Sequence, residues 1–293
     1  MPELPEVETI VRSLAPGVRG RRVERAELLF PPLLRRPPKG GLAVLAGRRI
    51  LGARRRGKMA LLDVEGGLTL VFHLKMTGQL ILAPPGGAPP DKHTRLVLRF
   101  RDGGPELRFR DVRKFGFLLC VSGEPEGACP EFASLGPEPL GLAFEDFRRA
   151  LGKRKGRIKS VLLDQTVVAG IGNIYADEML FDAAIHPETP AAALGPAGLR
   201  RLWESMGRIL ARAIEEKGSS LSDYVDAEGR AGSYQEFHKV YGRAGAPCTR
   251  CGRPVKRIVV VGRGTYFCPR CQPKRRRPRG SPCSSPGSSR SSS

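Results

Sequence analysis

Apolar positions recur at two different periods along this 293-residue chain, and the switch between them divides it. Leu4, Val7, Ile10, Val11 and Leu14 share one helical face at the very start. Pro2, with Glu3, Glu6 and Glu8 close behind, suits a helix start, where a missing N–H is tolerated and acidic groups meet the positive end of the dipole. Short apolar runs follow at 23–30, 48–55, 60–64, 68–74, 79–82, 96–100, 107–109 and 115–121, with Gly and Pro between them. Such runs predict an antiparallel sandwich or flattened barrel with the first helix at one end. Residues 122–142 are rich in Gly, Pro and Glu and read as a linker. Beyond them the period becomes 3.6, and 144–151, 158–163, 175–184 and 196–217 read as helices. Residues 218–235 are poor in apolar side chains and read as a mobile loop, a lid or a connector. The fold class is therefore α+β: an N-terminal β-sandwich domain with its helix over 1–121, a linker, a helical domain over 143–235, and a C-terminal module over 236–272.

Charge narrows the partners. Fifty Lys+Arg against 29 Asp+Glu give a net charge of +21, which points to a polyanion and first to nucleic acid. No apolar run is long enough to span a bilayer and the start lacks a signal-peptide pattern, so a soluble, cytoplasmic chain is expected. The tail, 273–293, is rich in Arg, Pro and Ser, reads as disordered, and carries part of the surplus charge.

Cysteine usage sets the next constraint. Cys248-x2-Cys251-x16-Cys268-x2-Cys271 is the spacing of two knuckles that hold one structural Zn2+ with all four positions taken by thiolates. Runs at 255–261 and 265–267 flank Gly262-Arg263-Gly264, predicting a zinc-held β-hairpin with Arg263 at its tip, suited to phosphate contact.

The chain start carries a different chemistry. A small residue after Met1 favours removal of the initiator, which would leave Pro2 with a free secondary amine. An α-amino group titrates near ~8, so roughly a tenth is neutral at pH 7 and able to attack an electron-poor carbon such as the anomeric carbon of a nucleoside. The iminium formed from a proline is an electron sink, and Glu3 is near enough in sequence to pass protons to the opening sugar. An ordinary acidic helix start would look the same locally.

Several loops admit two readings each. Arg54-Arg55-Arg56-Gly57-Lys58 is a basic turn able to hold a phosphate, with Lys58 able to act as acid or base, or else a solvated charge run. Met76 in His73-Leu74-Lys75-Met76-Thr77-Gly78 is a core residue or an exposed wedge. Phe115 in Asp111-Val112-Arg113-Lys114-Phe115-Gly116 is buried at a strand start, or exposed beside Arg113 to prise a base step open. His93, between Lys92 and Arg95, suits a phosphate contact or plain solvation. Gly170 and Gly172 precede a helix, so its amides could bind a phosphate, with basic residues at 153–159 just upstream; Asn173 could cap that helix.

Taken together, PELPEVE at 2–8, RRGK ending at Lys58, HLKMTG at 73–78, the D-x-R-K-F-G turn, GIGNIYADE at 170–178 and GRGTYFCPRCQ at 262–272 resemble the bacterial formamidopyrimidine-DNA glycosylases. The resemblance runs from position 2 to about 272 and implies a helix-two-turn-helix motif in the helical domain, with damaged double-stranded DNA held in the cleft between the domains. It implies a bifunctional glycosylase and abasic-site lyase that excises oxidised purines (8-oxoguanine, formamidopyrimidines), acting as a monomer. Pro2 would be the nucleophile, Glu3 its proton donor, Lys58 the helper in β-elimination and Arg263 the proton donor in δ-elimination. His93, Arg113, Arg154 and Asn173 would contact DNA, Met76, Arg113 and Phe115 would fill the gap left by the flipped base, and Glu178 would lie beside the base pocket. Two departures stand out: Lys114 where Arg is common, and Arg154 where some members have Lys. The rivals are an endonuclease VIII-like enzyme for oxidised pyrimidines, which typically opens Pro-Glu-Gly-Pro-Glu, and a noncatalytic DNA-binding protein on the same scaffold.

Overall fold

The computed structural model describes residues 1–152, 154–221 and 224–274. The tail expected to be disordered lies outside the described residues from 275 onward.

Helix α1 (Leu4–Val18) opens the chain and is followed by eight strands: β1 (Val23–Leu28), β2 (Ile50–Arg56), β3 (Met59–Val64), β4 (Leu68–His73), β5 (Gly78–Ala83), β6 (Thr94–Phe100), β7 (Glu106–Asp111) and β8 (Phe117–Ser122). They form two four-stranded antiparallel sheets, ordered β1-β6-β7-β5 and β2-β3-β4-β8. Alternation sends Leu62, Leu70, Phe72 and Leu118 from one sheet and Leu80, Leu96, Leu98, Leu107 and Phe109 from the other into a shared core. The apolar stripe of α1, Val7, Ile10, Val11, Leu14 and Val18, fills the same core. At about 1.5–3 kcal/mol per fully buried side chain, that stripe holds the helix far more firmly than helix propensity would.

The linker is built rather than loose. Two short helices, α2 (Pro125–Ala128) and α3 (Pro130–Ala133), occupy it, each begun by a proline. Cys129 and Phe132 cover the outer face of the second sheet against Met59, Leu61, Val71, Phe117 and Leu119.

The helical half comprises α4 (Phe144–Gly152), α5 (Ile158–Leu163), α6 (Asn173–Asp182) and α7 (Pro196–Glu215), packed around a second core that includes Tyr175, Met179, Leu180, Met206 and Leu210. Leu4 belongs to this second core, whereas Val7 and the rest of the α1 stripe belong to the first. The chain start is therefore pinned at the junction of the two halves. The segment read as a mobile loop is tied down at several points: Tyr224 and Ala227 join the sandwich core, the Ala227 N–H donates to Ser13 Oγ at 3.0 Å, and the Leu82 N–H donates to the Ala227 carbonyl at 2.8 Å.

Strands β9 (Lys256–Val260) and β10 (Arg263–Phe267) make the C-terminal hairpin, in register Arg263↔Val260 to Phe267↔Lys256. Its turn is Val261-Gly262, both at positive φ (49° and 70°), so Arg263 is the first residue of β10 and not the tip. Among the described residues no helix is long and apolar enough to cross a membrane.

Candidate active site and nucleic-acid interface

The site grows from the first turn of α1. The Glu3 N–H donates to Glu6 Oε2 at 2.8 Å, closing a capping box that orients the chain start. Pro2 is buried and Met1 is half exposed; removing the initiator would turn the Pro2 amide nitrogen into a free amine. The Glu3 carboxylate, 3 % exposed, accepts the Ile174 N–H at 3.0 Å and the Tyr175 N–H at 3.4 Å, and so sits on the N-terminus of α6. That contact is what the two glycines permit. A Cβ on Gly172 would stand 2.2 Å from Glu3 Cδ, and one on Gly170, whose φ is +86°, would stand 2.7 Å from Leu4 Cδ1. The expectation of a phosphate on these amides is thus corrected: an internal carboxylate already occupies the Ile174 and Tyr175 N–H groups. Asn173 does not cap the helix either; it is the first residue of α6, and its Nδ2 donates to the Gly264 carbonyl at 3.0 Å.

Lys58 follows the turn after β2 and is 8 % exposed. Burial pushes its amine below the usual lysine range; Glu3 and Glu6 pull it back up, while Arg263 and Lys75 push it further down. Four candidates from distant parts of the sequence, Pro2, Glu3, Lys58 and Arg263, therefore share one neighbourhood, and the lysine there is biased toward giving up its proton. The arginines before it do not form a phosphate cradle. Arg54 pairs with Asp63 at 2.9 Å, Arg55 with Glu8 at 2.9 Å and with Glu138 at 2.6 Å, and Arg56 with Glu138 at 3.0 Å. The basic run at 153–159 is likewise partly internal: Arg154 bonds Asp164 and Thr166, Arg157 pairs with Glu188, and Lys159 is wholly buried.

Glu6 carries a role that the sequence reading missed. Its Oε1 accepts the Ser219 N–H at 2.8 Å and the Tyr175 hydroxyl, so one carboxylate joins α1, α6 and the segment after α7. Burial, reinforced by the Glu3 charge, pushes Glu6 up to about 7. A raised carboxylate pKa means that the folded state binds more protons than the unfolded one between about 4.5 and 7. The associated stability, roughly 3 kcal/mol, is present below the lower value and lost as pH rises through the upper one. Denaturant midpoints measured from pH 4.5 to 8 should therefore show Glu6→Gln most destabilising at the acid end and less so above neutrality. Parallel curves for the two proteins would refute this.

On the sandwich side, Met76 (44 % exposed), Phe115 (50 %) and Arg113 come together at the surface. Arg113 Nη1 lies 3.1 Å from Met76 Sδ, and its guanidinium stacks 4.7 Å from the Phe115 ring centroid. The exposed alternatives left open by the sequence are the ones adopted. Asp111 holds the trio: it is buried, and its carboxylate accepts the Thr77 hydroxyl at 2.5 Å and the N–H groups of Arg113 at 3.2 Å and Gly116 at 2.8 Å. Half-buried His93 is alongside, its carbonyl accepting the Asp111 N–H at 2.9 Å. Glu178, in contrast, is 1 % exposed, and its oxygens take the N–H groups of Lys239, Val240 and Tyr241 at 2.8–3.0 Å, so the geometry makes it the anchor of that segment.

The four C-terminal cysteines form a metal site. Their Sγ atoms all lie within 4.8 Å of one another, with Cys251–Cys268 at 3.5 Å and Cys248–Cys271 at 3.9 Å. Tetrahedral thiolates at Zn–S ≈ 2.3 Å would be separated by roughly 3.8 Å, so the arrangement fits one zinc ion with no open position.

Known protein families match most of the chain. The formamidopyrimidine-DNA glycosylase N-terminal domain matches residues 1–118, its H2TH domain residues 135–225, and the zinc finger found in FPG and IleRS residues 245–274. A formamidopyrimidine-DNA glycosylase of Solibacter usitatus is 49% identical over 273 residues, 93% of this chain and 99% of the relative. The chain belongs to the formamidopyrimidine-DNA glycosylase family. Among solved structures it is similar to the MutM (Fpg) protein of Thermus thermophilus, at 45% identity, 92% of this chain, 98% of that one and a TM-score of 0.83. It is also similar to the wild-type Lactococcus lactis Fpg in complex with DNA containing N7-benzyl-Fapy-dG, at 39% identity, 93% and 100% coverage and a TM-score of 0.85. Against this family background the α+β architecture, the helix-two-turn-helix half and the zinc hairpin stand as the sequence led one to expect.

Proposed function

We propose that this chain is a bifunctional DNA glycosylase and abasic-site lyase of base excision repair, acting on oxidised purines such as 8-oxoguanine and ring-opened formamidopyrimidines in duplex DNA. The observation that carries the reading is the packing of the chain start at the junction of sandwich and helical half, where Glu3, the residue after Pro2, and Arg263 both act on the buried Lys58 amine. The proposed working parts are the sandwich (1–121), the helical domain (143–235) and the zinc hairpin (236–272), joined by 122–142, in a monomer working on DNA in the cytoplasm.

After Met1 is removed, the Pro2 nitrogen attacks C1′ of the damaged nucleotide. The C1′–N bond to the base breaks, the base leaving with that electron pair and with the proton shed by the proline nitrogen; Glu3 then gives a proton to O4′ as the C1′–O4′ bond breaks, leaving an iminium. The resulting iminium draws electrons toward C1′, which acidifies C2′–H. Lys58, with its proton affinity lowered by burial, assists removal of that proton as the 3′ C–O bond breaks. A second elimination breaks the 5′ C–O bond, with Arg263 supplying the proton. Met76, Arg113 and Phe115 fill the stack where the damaged base stood, and His93, Arg154 and Asn173 contact the DNA backbone. Zinc is structural and holds the hairpin that carries Arg263.

Intact-mass measurement should find the mature chain lacking Met1, because a retained Met1 acylates the nucleophile. Borohydride trapping on 8-oxoguanine DNA should then yield a covalent adduct that falls at least about tenfold in Pro2→Gly, where only a primary amine remains. Equal cross-linking by the variant, or retention of Met1 in active enzyme, would overturn the assignment.

A further inference from the structure

Lys159 and Asp177 form an ion pair whose side chains are both completely buried, with Nζ 2.5 Å from Oδ1. Buried pairs are often no more stable than apolar side chains of similar volume, so this one invites a role in geometry. Its remaining bonds point to one. Lys159 Nζ also donates to the Asn173 carbonyl at 3.2 Å, and Asp177 Oδ2 accepts the Tyr266 N–H at 3.0 Å. Asn173 in turn takes the Gly264 carbonyl through Nδ2.

The hairpin register explains why these two strand positions matter. In a two-residue hairpin the pair flanking the turn exchanges backbone bonds, so Arg263, Thr265 and Phe267 face β9. The polar groups of Gly264 and Tyr266 face the other way, out of the two-stranded sheet, and meet Asn173 and Asp177 one helical turn apart on α6. Helix α6 thus stands in for a third strand along the free edge of β10. Both anchors lie just C-terminal to Arg263 on the same strand, and Lys159 joins them from α5.

We propose that the Lys159–Asp177 pair positions Arg263, and thereby sets the efficiency of the second elimination separately from base removal. The pair is a positioning device and touches no DNA; the inference rests on the reading in which Arg263 donates the proton in that step. A loosened β10 displaces a guanidinium at the end of a long side chain, whereas Pro2 and Glu3 at the start of α1 stay fixed by the Glu6 capping box.

The test is the product distribution on 8-oxoguanine DNA, resolved as 3′-unsaturated aldehyde ends (one elimination) and 3′-phosphate ends (two eliminations). Asp177→Asn keeps an oxygen for the Tyr266 amide but removes the charge facing Lys159. It should lower the ratio of two-elimination to one-elimination product by about 10- to 100-fold, with base release near the wild-type rate and zinc retained. Should that variant fail to fold, Lys159→Met/Asp177→Asn, which leaves no stranded charge, carries the same expectation. A purely structural role would slow base release and both eliminations together, and an unchanged ratio would equally overturn the proposal. Arg263→Ala run in parallel separates the two layers. If it abolishes the two-elimination product while the pair variants do not, only the positioning role falls; if it leaves that product intact, the assignment of Arg263 falls and the proposal with it.

Discussion

Replacing Glu3 with glutamine is expected to slow release of 8-oxoguanine from duplex DNA by about 10²–10⁴-fold, the range for removing a positioned proton donor. The substitution is sterically small, and that matters here, because the Glu3 carboxyl group packs so closely on Gly172 that even a Cβ there would stand 2.2 Å from Cδ. One oxygen remains to accept an amide of α6, but the new NH2 group faces the second amide and the negative charge at the helix N-terminus is gone. Together these should cost the fold about 1–2 kcal/mol, visible in the thermal midpoint and far too little to explain the rate. Single-turnover base release is the decisive measurement. A preformed abasic site has no base to lose and its sugar already opens in solution, so strand cleavage there should suffer much less. A Glu3→Gln enzyme that releases the base at near wild-type rate would remove Glu3 from the chemistry and leave it as a helix cap.

The division of labour in Glu3, half cap and half proposed catalyst, shows what a linear reading can and cannot reach. Local patterns were legible. All eight sandwich strands occur where alternation and turn residues put them, the four helices beyond the linker follow the 3.6-residue period, and the cysteine spacing alone defines the metal cluster. What stayed hidden depends on partners far along the chain. Nothing near Glu6 announces that it will accept an N–H from Ser219 and a hydroxyl from Tyr175, and nothing near Lys159 tells it apart from its exposed neighbours. The same blindness turned basic runs into phosphate sites. Arg55 and Arg56 read as a cradle until Glu138, in what looked like a linker, neutralises them. The glycines at 170 and 172 were informative for a reason other than the one first given: they make room for a carboxylate from the same chain and not for a phosphate. A weak signal did exist for Glu6, since an acid three residues after Glu3 completes a capping box.

Removing the zinc, by strong chelation or by Cys268→Ala, is expected to abolish the second elimination while leaving the sandwich folded. The hairpin has two five-residue strands, too few to be stable alone in water, and a turn that forces β-branched Val261 to φ 49°. Its own apolar core is small: Phe181, Val240 and Val255 beside the buried Cys248 and Cys268. At about 1.5–3 kcal/mol for each of these three apolar side chains, that cluster supplies less than the roughly 10–16 kcal/mol that structural zinc supplies to small modules near pH 7. Without the metal, only the two hydrogen bonds to Asn173 and Asp177 tie β10 to α6 among the described residues, too few to order the hairpin, and Arg263 leaves the neighbourhood of Lys58. The sandwich core contains none of the hairpin's residues, so its unfolding transition should persist. Cross-linking through Pro2 should fall with DNA affinity and recover at high DNA concentration, because Pro2 and Glu3 are held by α1; the two-elimination product should not recover. Full two-step cleavage by metal-free protein, verified by metal analysis, would mean that the hairpin is held by something other than its thiolates and that Arg263 does not need it.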